Sequence, residues 1–200
     1  ILATVFSPLT IARKLAGETS LLRYIRDSID EMHEGLDIIA ETTGQFASEC
    51  LAAGADGIFL ATQCASTAYM TVEEYEEFGR PYDLRVLDAA RAAEIVILHI
   101  HGERIMFEQF TDYPVHALNW HDRKTEPTLK EARETYSGTL AGGLDAMETI
   151  GAATADKVTA EVKDALAQTG GKRHIVAAGC VIPIDASEAN LRAVRQAVEG

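Results

Sequence analysis

The chain has 200 residues, 47% hydrophobic and 24% charged, with 18 Lys plus Arg against 31 Asp plus Glu and a formal net charge of −13. This is an ordinary globular composition, which excludes a disordered chain, a collagen and a coiled coil. The acidic balance argues against nucleic acid as a partner, since such binders show a basic patch, and against docking on anionic membranes.

The chain opens without Met on an apolar run, Ile1–Phe6. The expectation is one barrel domain over residues 1–200, N-terminally incomplete. Six short apolar runs with little alternation read as strands buried on both faces, the habit of a parallel sheet. They are Ile1–Phe6, Gly57–Ala61, Ile95–His99, Val115–Asn119, Gly138–Ala141 and His174–Ala178. Between the first two, Pro8–Asp30 predicts two short helices parted by Gly17, and Asp30–Ala53 a long helix closed by Gly54. Thr71 with Glu74 is a capping box opening a helix over 71–93, with a kink or break at Pro81. Pro127–Thr135 starts with Pro at its first turn. Ala155–Thr169 ends at Gly170-Gly171, and Ser187–Val198 closes the chain. Strands alternating with helices give an α/β fold: an open doubly wound sheet or, with two units missing, the last six βα units of a (β/α)8 TIM-type barrel.

In either architecture chemistry sits at the carboxyl ends of the strands. His99 and His101, two apart at one strand end, share a side if the backbone stays extended. Cys180 ends another strand. Two imidazoles and a thiolate suit Zn²⁺, and three protein ligands leave a fourth position open. The plainer alternative is two hydrogen-bonded loop histidines and a small buried Cys. Gln63 and Cys64 follow the second strand; Cys64 reads as a packing residue. Gly142-Gly143 reads as a turn, Glu73, Glu74, Glu76 and Glu77 as a solvated face, and His33, His116 and His174 as structural. Trp120 lines a pocket or plugs the barrel. The three cysteines, odd in number and widely spaced, imply no disulfide framework and suit a reducing, cytoplasmic setting. No apolar run approaches the roughly 20 residues that span a bilayer, and no signal peptide is visible.

The order of motifs resembles the uroporphyrinogen decarboxylase superfamily. Phe6-Ser7-Pro8-Leu9-Thr10, Ala53-Gly54-Ala55-Asp56-Gly57, Glu74 to Tyr82, Leu118-Asn119-Trp120, Leu140 to Asp145, and Gly179 to Pro183 followed by Asn190 are each similar to a family motif, and they cover nearly the whole chain. The resemblance implies a (β/α)8 barrel whose last six units are matched. It also implies one of two activities: cofactor-free decarboxylation of uroporphyrinogen, or zinc-dependent methyl transfer between corrinoid proteins and thiols. Where the decarboxylase branch carries Tyr, Ser and His, this sequence has Lys14, Gln63 and Cys180. The methyltransferase branch carries His-x-Cys and a distant Cys; here the positions read His99, His101 and Cys180.

The expectation is therefore a zinc-dependent methyl or alkyl transferase, with His99, His101 and Cys180 as metal ligands and Gln63 and Asn119 as catalytic candidates. A small-molecule substrate and a corrinoid protein are the expected partners. A porphyrinogen-type decarboxylase and a non-catalytic barrel of a corrinoid system are the alternatives.

Overall fold

The computed structural model describes residues 1–199. Six parallel strands alternate with helices, the pattern expected of a (β/α)8-type barrel, and the chain divides into two compact units. One comprises residues 1–106 with 112–116, the other residues 107–111 with 117 onward.

In the first unit β1 (Leu2–Phe6), β2 (Gly57–Thr62) and β3 (Ile95–Ile100) pair in chain order, with Phe6 opposite Ala61 and Ala61 opposite His99. Three helices separate β1 from β2: α1 (Pro8–Ala16), α2 (Glu18–Asp27) and α3 (Ile29–Ala52). Ser7 caps α1 and Pro8 occupies its first turn. Gly17, at φ 81°, ends α1 and opens α2, a conformation that costs a residue without Cβ little. In α3 the buried positions Met32, Leu36, Ala40, Thr43 and Ala47 recur at helical spacing and form the apolar stripe.

The expected helix over 71–93 is two helices, α4 (Val72–Phe78) and α5 (Arg80–Ala89). Thr71 and Glu74 form the reciprocal capping box. The break falls at Gly79, where a Cβ would lie 2.5 Å from the Tyr75 ring, and Pro81 then sits harmlessly in the first turn of α5. Glu74, read as solvated, also pairs with Arg26 at 2.7 Å. Below these helices Asp83 accepts from the Tyr75 hydroxyl at 2.5 Å and from the Tyr113 hydroxyl at 3.4 Å, while its Oδ1 has no hydrogen bond. Burial drives its pKa up to about 7, against the pull of the two phenols and Arg80.

In the second unit β4 (Ala117–Trp120), β5 (Thr139–Leu144) and β6 (His174–Ala178) pair in chain order. Helices α6 (Leu129–Thr135), α7 (Ala155–Thr169) and α8 (Glu188–Glu199), a 3-10 turn at Phe107–Phe110 and a π-helical turn at Ala146–Gly151 complete it. Strand β4 starts two residues later than expected. In the first unit His116 bonds Val96 twice, its N–H donating to the carbonyl and its Nδ1 accepting the N–H.

Pro127 lies outside α6, not in its first turn. Thr128 is the cap, in a capping box with Glu131, and the Pro127 carbonyl accepts from Trp120 Nε1 at 2.8 Å. Trp120 is fully buried and lies 4.8 Å from the Phe107 ring, so it belongs to the core. Leu144, Ile150, Val158, Val162 and Ala193 form a second packed cluster. Among the described residues no helix is long and apolar enough to cross a membrane.

Candidate metal centre

The strand ends of each unit carry metal-donor side chains. Among the described residues the side chains that could serve a metal ion are His99 and His101 in the first unit and His121 and Cys180 in the second.

In the first unit β3 delivers His99 and the residue just beyond its end is His101. His99 Nε2 and His101 Nδ1 are 3.4 Å apart, so the period-two reading holds at this strand end. His99 is buried and stacks on Phe59 with ring centroids 5.6 Å apart, which fixes its plane. His101 is half-buried. Its pKa is lowered, first by burial and then by the positive charges of Arg13 and Lys14. The neutral imidazole, the form that binds metals, is thereby favoured.

Gln63, at the end of β2, does not present its side-chain oxygen to a ligand. Its backbone carbonyl accepts from Arg13 Nη1 at 3.2 Å and its Oε1 from Arg13 Nη2 at 3.1 Å. The backbone N–H of Gln63 donates to Thr10 Oγ1 at 2.8 Å, and the Thr10 and Ser7 hydroxyls are 2.7 Å apart. The Ser-Pro-Leu-Thr turn thus braces the end of β2. Cys64 is fully buried and its Sγ lies 3.7 Å from the Leu9 carbonyl; burial pushes its thiol up to about 12, so it stays protonated and packs.

In the second unit His121 and Cys180 follow β4 and β6, and their ligand atoms lie within 4.8 Å of each other. They line one pocket with Arg123, Lys124, Leu144, Asp145, Ala146, Met147, Gly179 and Val181. Gly179 lets the chain reach Cys180, since a Cβ there would lie 2.8 Å from the Trp120 carbonyl and 2.9 Å from His121 Cα.

The cations of this pocket are already used. Arg123 donates to the Gly143 carbonyl at 2.8 Å, to Asp164 at 2.6 Å and to the Glu161 carbonyl at 3.2 Å. Lys124 lies 3.3 Å from both Asp145 and Glu148. Asp145 caps the π-helical turn, accepting from the N–H groups of Met147 and Glu148. Burial opposes its ionisation, yet those N–H groups and Lys124 outweigh burial and its pKa falls. Asp122, next to His121, accepts from Gly143 N–H at 3.0 Å but leaves Oδ2 without a hydrogen bond. Burial raises its pKa to about 6, against the Gly143 bond and the charge of Arg123.

Asn119 is buried, and its amide donates to the carbonyls of Ala141 (2.8 Å) and Ala178 (3.1 Å), tying the ends of β4, β5 and β6 together. The histidines read as structural are so engaged: His33 bonds Tyr82 at 2.7 Å and stacks on Phe78, and His174 lies 3.0 Å from Thr169 Oγ1 and 3.1 Å from the Gly142 carbonyl.

Two residues of the site escaped the sequence reading. His121 was given no role, although it stands two residues after Asn119 at a strand end, the spacing that drew attention to His99 and His101. Arg13 sits on a helix, and its contact with Gln63 spans 50 residues of sequence.

Comparison with known proteins agrees with the motifs. The family model described as "Uroporphyrinogen decarboxylase (URO-D)" matches residues 1–200. A methylcobamide:CoM methyltransferase MtaA of Methanosarcina barkeri is 26% identical over 185 residues, 91% of this chain and 52% of that protein. A methylated-thiol–coenzyme M methyltransferase of Methanosarcina mazei is 27% identical over 103 residues, 52% of this chain and 28% of that protein. A solved structure of a methyltransferase from Methanosarcina mazei superposes with a TM-score of 0.88 at 24% identity, covering all of this chain and 58% of that one. The chain thus spans about half the length of the curated relatives it matches over most of its own length. Six parallel βα units with this structural match are part of a (β/α)8 barrel fold, and the chain belongs to the uroporphyrinogen decarboxylase family.

Proposed function

We propose that this chain is the metal-holding part of a methyltransferase that moves a methyl group between a corrinoid protein and a small thiol. His99, His101 and Cys180 are the ligands, with His121 as a further donor, and Zn²⁺ is the metal. The reading takes residues 1–200 as one barrel domain in a cytoplasmic protein. The observation that carries it is the donor chemistry at the strand ends: an imidazole pair at 3.4 Å in one unit and an imidazole–thiol pair in the other. Three nitrogens and one sulfur suit zinc better than calcium or magnesium, which prefer oxygen. The named activities of the relatives, cobamide-linked and thiol-linked methyl transfer, support the same reading.

When bound, zinc supplies Lewis acidity that keeps an acceptor thiol deprotonated near neutral pH. The chain's own residues do the rest. Phe59 stacks against His99 and holds its ring, and burial, with the charges of Arg13 and Lys14, favours the neutral form of His101. Gly179 allows the close chain path that brings Cys180 to its place. Gln63 acts as a positioning residue through Arg13, and Asn119 as one through the strand ends it ties.

The test is metal content by elemental mass spectrometry on untagged protein purified without added zinc. About one zinc per chain, lost in His99→Ala and Cys180→Ala, is the expected result. Full metal content in Cys180→Ala overturns the ligand assignment.

A further inference from the structure

At the amino end of β3, away from the metal donors, the first unit carries a second recess. The end of α5, the turn into β3 and the residues just before β4 line a cleft of about 440 Å³. All of its lining residues belong to the first unit. Small-molecule sites occupy roughly 300–1,000 Å³ and set an apolar lining against a few convergent polar groups. Here the apolar lining is Leu84, Leu87, Ala90, Val96 and Pro114, of which Leu87, Ala90 and Val96 are buried.

His116, Asp88 and Arg91 are the polar lining. His116 is fixed by Val96: its backbone N–H donates to the Val96 carbonyl and its Nδ1 accepts the Val96 N–H, both at 2.9 Å. A neutral imidazole that accepts at Nδ1 carries its hydrogen on Nε2. Among the described residues that Nε2–H has no protein acceptor. Asp88 and Arg91, three residues apart, approach each other at 3.7 Å with side chains 78% and 82% exposed. An ion pair this long and this exposed contributes little, so both charges stay open to a ligand.

A carboxylate, a guanidinium and an imidazole N–H beside an apolar lining complement one chemical class, the α-amino acid with an apolar side chain. Asp88 matches its ammonium. Arg91 and His116 Nε2–H match its carboxylate. The aliphatic lining matches its side chain. A fatty acid of the same shape sets its charge against Asp88, and the corresponding amine sets its charge against Arg91.

We infer that this cleft binds a free apolar α-amino acid of about the size of leucine. The site is distinct from the strand carboxyl ends, where barrel folds keep their chemistry. None of its residues belongs to the metal donor set, so it stands whether or not the chain holds zinc. Val96 precedes His99 by three residues on β3, roughly 10 Å along an extended strand. A ligand in the cleft therefore rests on the strand that delivers the imidazole pair.

The test is a ligand-observed NMR titration of the intact protein with L-leucine, 4-methylpentanoate and 3-methylbutylamine. The second probe is leucine without its ammonium, and the third is leucine without its carboxylate. Leucine should bind roughly fivefold more tightly than either, the worth of one well-placed but solvated charge pair. Asp88→Asn should erase the preference over the acid, and Arg91→Gln the preference over the amine. Both positions are exposed, so neither change threatens the fold. Ala93→Phe puts a ring into the cleft and should abolish binding of all three probes. No binding of leucine to the unaltered protein, equal affinity for the three probes, or a preference that survives either charge substitution overturns the site. Leucine bound as tightly by Ala93→Phe as by the unaltered protein overturns its location.

Discussion

In the first unit the end of β3 presents two imidazoles beside two cations held by a neutral amide and aromatic rings. In the second, an imidazole and a thiol stand beside Leu144, Met147 and Val181, and the local cations are tied to carboxylates. At the first end burial, and then the charges of Arg13 and Lys14, lower the proton affinity of His101. The second end instead holds a buried carboxylate, Asp122, whose Oδ2 has no hydrogen bond and only the more distant charge of Arg123 at 3.8 Å. The difference teaches that residues of the same type are held in different ways by their partners: Arg13 rests on the two oxygens of Gln63 and the Tyr69 ring, whereas Arg123 is tied to the Asp164 carboxylate and two backbone carbonyls.

The sharpest way to break this comparison is to remove one donor from each end. On the proposed ligand assignment, His99→Ala and Cys180→Ala should each reduce bound zinc from about one equivalent to less than about a tenth. If only one of the two loses metal, the ends do not share an ion. Next in size is the core that supports the second end. Trp120→Ala empties a fully buried site and should cost about 3–5 kcal/mol in denaturant unfolding.

A third test concerns the buried acid of the first unit. The pKa of Asp83 is raised in the fold, so its contribution to stability is complete below its unfolded value of about 3.9 and is lost as pH rises through about 7. The loss between those limits is at most about 4 kcal/mol. Asp83→Asn should flatten the unfolding free energy between pH 4 and about 7 by this mechanism; an unchanged slope refutes it. His101 works in the opposite sense: its lowered pKa means stability falls as pH drops below about 6.5, so His101→Gln should lessen acid sensitivity by a smaller amount. The smallest effect belongs to Lys124→Ala. Its ion pairs are screened by solvent, and its removal should leave the thermal melting temperature almost unchanged.

Much of the fold is legible in the sequence because its signals are local. Apolar runs without alternation mark all six strands to within three residues at either end, and Thr71 with Glu74 marks the start of α4. Gly17 and Gly170 mark helix ends through the positive φ each adopts. The break at Gly79 was assigned to Pro81 instead, because the cause is the Tyr75 ring packed where a Cβ would go, and packing is not written locally. The same limit applies to the site. His99 and His101 announce themselves by spacing. The bond between Arg13 and Gln63, and the capture of Asn119 by Ala141 and Ala178, depend on strand register and appear only once the chain is folded.

The tight path at Gly179 has a consequence for how this chain tolerates change. Its missing side chain leaves 2.8 Å to the Trp120 carbonyl, so even alanine must displace backbone there. A saturation scan would therefore score position 179 as intolerant, although the position carries no side chain. Anyone changing Cys180 would have to leave its glycine neighbour untouched.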